Sequence, residues 1–207
     1  MGTRMKTRAA VGFRAHSGWA ALVVVAGPPC APVVVDRRRI ELVDPAMPGA
    51  KQPYHAARRL DLKEARELVS RCAAEARRRA RRAVRAVLDE LREKGHDVVG
   101  CGILLGSGRP ATTLAATLAS HALIHTAEGE LFRDVLIRAS EHFDLGVTRV
   151  RERELYARGA AELGVAADAL RRRVTEMGRT VGSPWRQDEK HATLVGWLAL
   201  AARSRRS

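Results

Sequence analysis

The sequence contains few of the features that mark secreted, membrane or metal-thiolate proteins. It has only 3 cysteines in 207 residues. Cys30, Cys72 and Cys101 are odd in number and widely spaced, which argues against a disulfide framework and against a zinc knuckle. No stretch approaches the roughly 20 consecutive apolar residues that span a bilayer, so no membrane partner is expected. We therefore predict a cytoplasmic protein whose thiols stay reduced.

Signatures of the common enzyme classes are also missing. The chain has no Walker-type phosphate loop, no Gly-x-Ser-x-Gly nucleophile elbow, no Cys-x-x-Cys pair and no Gly-x-Gly-x-x-Gly fingerprint. These absences exclude ordinary P-loop NTPases, serine hydrolases of the common type, thioredoxin-like redox proteins and Rossmann dehydrogenases. The sequence leaves the identity of any cofactor open.

Aromatic side chains are scarce and positive charge is abundant. Aromatics make up 4% of the chain, which argues against an extended platform for stacking single-stranded bases. The formal net charge is +14, carried by 32 arginines and 5 lysines. Such a surface attracts anions, of which nucleic acid is the commonest macromolecule. A GC-rich coding bias produces the same excess of arginine, so charge alone leaves nucleic-acid binding undecided.

The first part of the chain predicts an antiparallel sheet. Three segments are rich in β-branched side chains: residues 9–15, 19–26 and 33–43. They are separated by His-Ser-Gly and by Gly-Pro-Pro-Cys-Ala-Pro, both of which favour turns. This pattern is typical of a three-stranded meander.

A long helix is predicted next. Asp61 and Glu64 form a capping-box pattern at its start and Lys94-Gly95 ends it, which gives a helix roughly 50 Å long. Its apolar positions recur at three- and four-residue steps: Leu62, Ala65, Val69, Cys72, Ala76, Ala80, Val84, Val87 and Leu91. Arginines occupy most of the remaining circumference: Arg66, Arg71, Arg78, Arg81, Arg82 and Arg85. Three interpretations of this basic face are open: a surface that is merely solvated, a surface that binds the phosphates of a nucleic acid, and a dimer contact.

Strands and helices alternate in the rest of the chain. We predict strands at 97–105 and 146–153 and helices at 114–143, 155–164, 168–178 and 183–202. Gly129 is a candidate break in the first of these helices, and Ser183-Pro184 places proline in the first turn of the last one. We expect a single domain over residues 1–207, with a helical insertion around 155–180 and a short basic tail at 203–207.

The opening hairpin carries a resemblance to a known family. Its segment Gly12-Phe13-Arg14-Ala15-His16-Ser17-Gly18-Trp19-Ala20 resembles the Gly-x-Asp-x-Gly turn and Gly-(Trp/Tyr)-Ala strand of resolvase-like proteins. The predicted order of elements is similar to that of the ribonuclease H-like superfamily, to which this branch belongs. The resemblance implies an α/β fold with a five-stranded mixed sheet flanked by helices.

Metal-binding acids that the resemblance implies are mostly missing. In the nucleases of this superfamily, carboxylates from the first strand, the end of the fourth strand and the last helix hold two divalent metals. Here the first position is Arg14, the fourth strand ends Leu104-Leu105-Gly106-Ser107, and only Asp188, with Glu189 beside it, matches. We expect Arg14 and the carboxylates to form an ion pair, with no metal site there.

If the resemblance holds, three chain segments converge on one edge of the sheet. They supply Arg14, His16 and Ser17; Ser107, Gly108 and Arg109; and Trp185, Arg186, Asp188 and Lys190. Ligands of open α/β sheets bind beyond the carboxyl ends of the strands, and a Gly-Ser-Gly loop can turn its amides toward an anion. This predicts a basic pocket for a phosphate-bearing ligand. The alternative is that the 106–110 segment is an ordinary exposed turn.

A second candidate cluster lies in the predicted 114–143 helix. His121, His125 and Glu128 are spaced four and three residues apart and share one helix face. Two imidazoles and a carboxylate could ligate zinc or iron, or act as an acid-base pair. They could also bind an anionic ligand without metal, with Arg133 one turn further on, or be surface histidines. His55 has no partner that the sequence identifies.

Three functional hypotheses result. The first is a ribonuclease H-like protein that binds nucleic acid or a polyphosphate and lacks the standard two-metal nuclease centre; whether it is an enzyme of altered chemistry stays open. The second is a small-molecule phosphotransferase or hydrolase that uses His16, His121, His125 and Glu128 around an anion held by Arg14 and Arg109. The third is a homodimeric scaffold joined through the long helix, which charges at Val84 and Val87 would break.

Overall fold

The computed structural model describes residues 6–204. Its first three strands are β1 (Thr7–His16), β2 (Trp19–Ala26) and β3 (Val33–Glu41). β1 and β2 form an antiparallel hairpin in register from Ala9 opposite Ala26 to His16 opposite Trp19. β3 continues the meander on the other side of β2. The predicted antiparallel strands are therefore confirmed.

Two parallel strands complete the sheet. β4 (His96–Leu105) pairs with β1, and β5 (Gly146–Arg151) pairs with β4, which gives the order β3-β2-β1-β4-β5. The five-stranded mixed sheet is as predicted, although β5 ends two residues early, where the chain enters a 3₁₀ turn. Because β1, β4 and β5 are parallel, their carboxyl ends meet at one edge, which we call the C-terminal edge.

The long helix follows a short one that the sequence pattern did not predict. The short helix is α1 (Pro53–Ala57), and the long one is α2 (Leu62–Glu93). The Asp61 carboxylate accepts hydrogen bonds of 2.9 Å from the backbone N–H groups of Lys63 and Glu64, which caps α2 as expected. With 32 residues, α2 is about 48 Å long.

The apolar face of α2 packs on one face of the sheet. Val84 and Val87 are 3% and 2% exposed and contribute to the same core as Phe13, Leu22 and Phe132. Charges at Val84 or Val87 would therefore disrupt the monomer core and would not report on a dimer. That test of the scaffold hypothesis was wrong, because both residues face the sheet and not a partner.

The predicted helix at 114–143 is two helices, α3 (Leu114–Ala119) and α4 (His121–Glu141). The break falls at Ser120, which is extended and whose hydroxyl caps α4. Gly129 does not interrupt the helix, and that prediction was wrong. A Cβ at Gly129 would lie 2.7 Å from Arg133 Nη2, so the glycine makes room for the Arg133 side chain.

The opposite face of the sheet is covered by α5 (Leu155–Leu163), α6 (Ala167–Met177) and α7 (Gln187–Ser204). The prediction that Ser183-Pro184 opens α7 was wrong by about one turn. The first turn is instead capped by the Glu189 carboxylate, which accepts the backbone N–H of Arg186 at 2.8 Å. α7 also continues to Ser204, so of the predicted basic tail only 205–207 lies beyond it, outside the described residues.

Two strand glycines let α7 lie directly on the sheet. A Cβ at Gly12 would come within 1.8 Å of the Ala192 carbonyl oxygen, and one at Gly102 within 2.1 Å of the Val195 oxygen. Only hydrogen at these positions allows helix and strand backbones to approach so closely. This contact fixes where the first turn of α7 meets the C-terminal edge. No helix in residues 6–204 is long and apolar enough to cross a membrane.

Candidate functional site

The Arg14 side chain lies at the C-terminal edge, between two carboxylates. Arg14 follows Gly12 by two residues, and Asp188 precedes Ala192 by one helical turn, so the close contact between Gly12 and Ala192 brings Arg14 and Asp188 together. Arg14 Nη1 is 2.7 Å from Glu152 Oε2, and Arg14 Nε is 3.5 Å from Asp188 Oδ1. The Arg14 side chain is 20% exposed. We call Arg14, Glu152 and Asp188 the arginine-carboxylate cluster.

Sequence reasoning missed Glu152. It is the first residue of the 3₁₀ turn that follows β5. The available signal was that β5, like β1 and β4, was predicted to be a strand of the parallel half of the sheet. An acidic residue near the carboxyl end of such a strand lies at the same edge as Arg14.

Two histidines extend the cluster. His16 Nε2 lies 3.0 Å from Asp188 Oδ1, and the His16 ring stacks on Trp19 with a centroid separation of 4.2 Å. His191 Nδ1 lies 3.6 Å from Glu152 Oε1, and its Nε2 contacts the Gln187 amide. Burial lowers the pKa of His191, and this effect outweighs the nearby Glu152 carboxylate, which raises it. His191 is therefore neutral at pH 7.

The arginine-carboxylate cluster and its two histidines bring more nitrogen donors than carboxylates to the C-terminal edge. Arg14 Nε, His16 Nε2 and His191 Nδ1 are buried and lack a hydrogen bond of good geometry in the part of the chain described, although each has a carboxylate oxygen within ion-pair distance. Donors thus outnumber the two carboxylates. This set does not fit a pair of divalent metals, which need several carboxylates free of a guanidinium.

A groove of about 300 Å³ lies beside the cluster. Trp19, Arg39 and Arg186 are among the residues that line it, together with Asp188. The Arg39 guanidinium lies 4.0 Å from the centre of the Trp19 ring. The groove therefore offers cationic groups next to an ion-paired centre, and such groups can contact phosphates.

Arg37 and Arg39 were not predicted as site residues. Both lie on β3 and line the groove. Arg38 between them also borders the groove, but its guanidinium lies on the other face of the sheet, where it pairs with Glu90 of α2. Alternation along a strand sends residues i and i+2 to the same face, so the run Arg37-Arg38-Arg39 contained the signal.

Other predicted residues at this edge have different surroundings. Ser17 is exposed in the hairpin turn, and Lys190 is half-buried in the first turn of α7. Trp185 is a structural anchor: its indole N–H donates to the Val174 carbonyl at 3.0 Å, and its ring packs against Gly178. The glycine leaves the space that the indole fills.

The Gly-Ser-Gly loop does not join the arginine-carboxylate cluster. A Cβ at Gly106 would meet Arg133, and one at Gly108 would meet Thr126, so the backbone of Ser107 and Arg109 runs along α4. Arg14 and Asp188 lie on the α7 face of the sheet. The prediction of one converging basic pocket is therefore corrected to two groups on opposite faces, because the chain after β4 turns toward α4.

The histidine cluster has a member that the sequence did not indicate. His121 Nε2 and His125 Nε2 are 3.0 Å apart, as their spacing predicts. Glu128, however, turns to α1, where both of its oxygens lie 3.0 Å from His55 Nδ1. His55 precedes this helix by 66 positions in the sequence, so only tertiary structure brings it here. We call His55, His121 and His125 the triple-histidine cluster.

Arg133 does not belong to the triple-histidine cluster. It pairs with Glu130 at 2.8 Å and lies under the Gly106 and Gly129 backbones. His16 contacts Asp188 and Trp19, and no contact among the described residues connects it to His121 or His125. A single small-molecule site that uses all these groups, as in the second hypothesis, therefore has no support in the geometry.

The exposed side of α2 is strongly basic. Arg78 and Arg79 pair with Glu75, and the Arg85 guanidinium lies over the Phe143 ring. The remaining arginines before Arg92 form no ion pair with any residue in the described range, and we call them the free α2 arginines: Arg66, Arg71, Arg77, Arg81 and Arg82. All five are exposed.

Comparison with known proteins identifies the fold. No family model and no curated protein matches the sequence. Two solved structures are similar over 95% of this chain and 96% of their own. One is "T. thermophilus RuvC in complex with Holliday junction substrate", with a TM-score of 0.56 and 13% identity. The other is "Thermus thermophilus RuvC structure", with a TM-score of 0.54 and 14% identity. At these identities the similarity shows the fold alone.

Proposed function

We propose that this chain, which has the ribonuclease H-like fold, binds nucleic acid through arginine-phosphate contacts and lacks the standard two-metal nuclease centre. One observation carries the proposal. The Arg14 guanidinium stands where the resemblance implies the first metal-binding acid, and it contacts Glu152 and Asp188. A guanidinium placed between two carboxylates supplies the positive charge that a divalent metal would otherwise provide.

The two basic regions indicate how a nucleic acid would be recognised. The free α2 arginines lie on one face of the sheet, and Arg37, Arg39 and Arg186 line the groove on the other. Phosphate contacts from such groups fix the position of a nucleic acid and carry no base sequence information. We therefore infer recognition of backbone and shape, and a four-way DNA junction is the first ligand to test, because one similar structure holds that substrate.

The arginine-carboxylate cluster would then be a rigid part of the binding edge. Arg14 is held by two carboxylates and does not reach out to phosphate. Arg186 borders the open groove and forms no ion pair with any other described residue, whereas Arg39 is paired with Glu41 at the groove wall. His16 stacked on Trp19 fixes the aromatic wall of that groove. A reducing cytoplasm belongs to the same proposal, since Cys30, Cys72 and Cys101 are free thiols.

Binding measured against salt tests the proposal. Fluorescence anisotropy with four-way and duplex DNA should give a log affinity that falls linearly with log salt, because each neutralised phosphate releases condensed counterion. The variant R81E/R82E removes two free α2 arginines, and R37E/R186E removes two groove arginines that form no ion pair within residues 6–204. Each double variant should bind more weakly and should lower the salt slope by about 2 if both side chains contact phosphate.

A matched control variant distinguishes the loss of direct arginine-phosphate contacts from the change in the net charge of the protein. R92E/R138E makes the same change in net charge at exposed positions that are already ion-paired with Asp89 and Asp134. It should leave the salt slope close to that of the parent protein. An affinity that does not fall with salt, or a control that weakens binding as much as both double variants, would overturn the proposal.

A further inference from the structure

We infer that the triple-histidine cluster is a binding site for a divalent transition-metal ion, with Glu128 orienting one of the ligands. The site is independent of the proposed function, because it lies on α1 and α4 and shares no residue with the arginine-carboxylate cluster. The ligand nitrogens of His55, His121 and His125 all lie within 4.8 Å of one another.

The distances suit a tetrahedral ion. Zinc bound to imidazole at 2.0–2.1 Å places its ligand nitrogens about 3.3 Å apart. His121 Nε2 and His125 Nε2 are 3.0 Å apart. The ring centroid of His55 lies 5.2 Å from that of His121 and 4.7 Å from that of His125. All three ring pairs are steeply inclined, by 62 to 83°, as expected for rings that converge on one point and do not stack. Small side-chain rotations would bring the three nitrogens around an ion.

Glu128 supplies the second observation. Its carboxylate is only 1% exposed, yet its hydrogen-bond partners in the described chain are the backbone N–H and the ring Nδ1 of His55. A buried carboxylate that accepts from Nδ1 holds the His55 proton on that nitrogen and leaves the Nε2 lone pair available. The same carboxylate-histidine arrangement orients metal-bound imidazoles in proteins generally.

The environment indicates which ion and how many ligands. Three imidazoles suit zinc, copper, iron or nickel, and disfavour magnesium and calcium, which prefer oxygen. His121 and His125 are exposed, so a fourth coordination position would face solvent and take water or an anion. The ion would also tie α1 to the first two turns of α4.

Metal titration of the purified full chain tests the site. Zinc should bind with a stoichiometry of one per chain, and cobalt in its place should give the intense visible bands of a tetrahedral ion. H121A and H125A should each lower zinc affinity by at least tenfold and abolish the cobalt bands. Both residues are exposed, so these variants should fold normally. H142A replaces another exposed histidine of the same helix region and serves as the control.

The role of Glu128 is tested by a separate variant. E128Q should weaken zinc binding by about 10- to 100-fold and shift the cobalt bands, because it no longer fixes the His55 ring. Circular dichroism in the absence of metal shows whether the variant is folded. Absence of zinc binding by the parent protein, or equal affinity in H125A and H142A, would overturn the inference. Neither result bears on DNA binding, which H125A should leave unchanged.

Discussion

Arg14 Nη1 and Glu152 Oε2 lie 2.7 Å apart, although 138 residues separate them in the chain. The contact joins the end of β1 to the turn after β5, on either side of β4 at the same edge of the sheet. Asp188 approaches the same guanidinium from α7. A cation contributed by the chain itself thus holds three elements together at the C-terminal edge.

Replacing Arg14 by aspartate should convert this edge to one that needs a metal. R14D puts a third carboxylate beside Glu152 and Asp188, and the uncompensated repulsion should lower the free energy of unfolding by about 1–3 kcal/mol, less than for a fully buried pair because the groups are partly exposed. Magnesium should restore part of this loss.

Thermal unfolding of R14D and of the parent protein, each in EDTA and in magnesium at equal ionic strength, checks this prediction. R14M is the control, since it removes the cation without adding a carboxylate. Stabilisation of the parent by magnesium to the same extent as R14D would contradict the assignment of Arg14 as the resident cation.

Gly12 should tolerate no side chain. A Cβ there would lie 1.8 Å from the Ala192 carbonyl oxygen, which belongs to a helix backbone and cannot rotate away. We predict that G12A lowers the free energy of unfolding by about 3 kcal/mol or more. G159A is the matched comparison: its Cβ would meet the flexible ends of Leu170 and Leu194 at 3.0 and 3.4 Å, and the change should be under about 1 kcal/mol. Urea unfolding of both variants measures the difference, and equal effects would be inconsistent with a close backbone approach.

Stability should fall at mildly acidic pH because of His191. Burial lowers the folded-state pKa of His191 below its usual value near 6.5, against the opposing effects of Glu152 and Asp188; Arg14 and Arg171 lower it further. Below pH 6.5 the unfolded chain therefore takes up this proton first, and the free energy of unfolding falls until the folded-state pKa is passed.

The contribution of one such group is at most about 1.4 kcal/mol per pH unit. H191Q keeps a side chain that can hydrogen-bond Gln187 but cannot titrate, so its stability should depend less steeply on pH between 7 and 5. Urea unfolding across this range measures the difference. Identical slopes for the parent and H191Q would contradict a neutral, buried His191.

Thiol chemistry should distinguish the three cysteines. Cys30 is exposed, whereas Cys72 and Cys101 are 2% and 1% exposed. Burial raises the pKa of the Cys72 thiol and raises the pKa of Cys101 to about 11, so both stay protonated and unreactive at pH 8. Titration with a disulfide reagent should show one fast thiol in the native protein and three in denaturant. Two fast thiols in the native state would show that one of the buried positions opens locally.

Local signals in the sequence were sufficient for most of the fold. The β-branched strands, the Asp61 cap and the three-and-four spacing along α2 each depend on neighbouring residues, and each predicted its element. The start of α7 was misplaced because Pro184 is compatible with a helix start but the Glu189 cap determines it. Gly129 was wrongly predicted to break the helix. The glycine is needed there because it leaves room for the Arg133 side chain, and such a packing requirement is not visible in the local sequence.

The candidate sites were only partly accessible to sequence reasoning. The spacing of His121 and His125 is visible in the sequence, but His55 reaches them through the packing of α1 on α4, which no local pattern encodes. Glu152 likewise became a partner of Arg14 only through the position of β5 in the sheet. Arg109 was wrongly grouped with Arg14, because the direction of a loop after a strand depends on what it packs against.

The affinity for a four-way DNA junction in EDTA and in magnesium, at matched ionic strength and with the DNA products examined in parallel, tests the central claim most directly. With Arg14 as the resident cation, the parent protein should bind equally well in both conditions, lose affinity as salt rises, and leave the junction uncut. Magnesium-dependent cutting that E152Q and D188N abolish would contradict it.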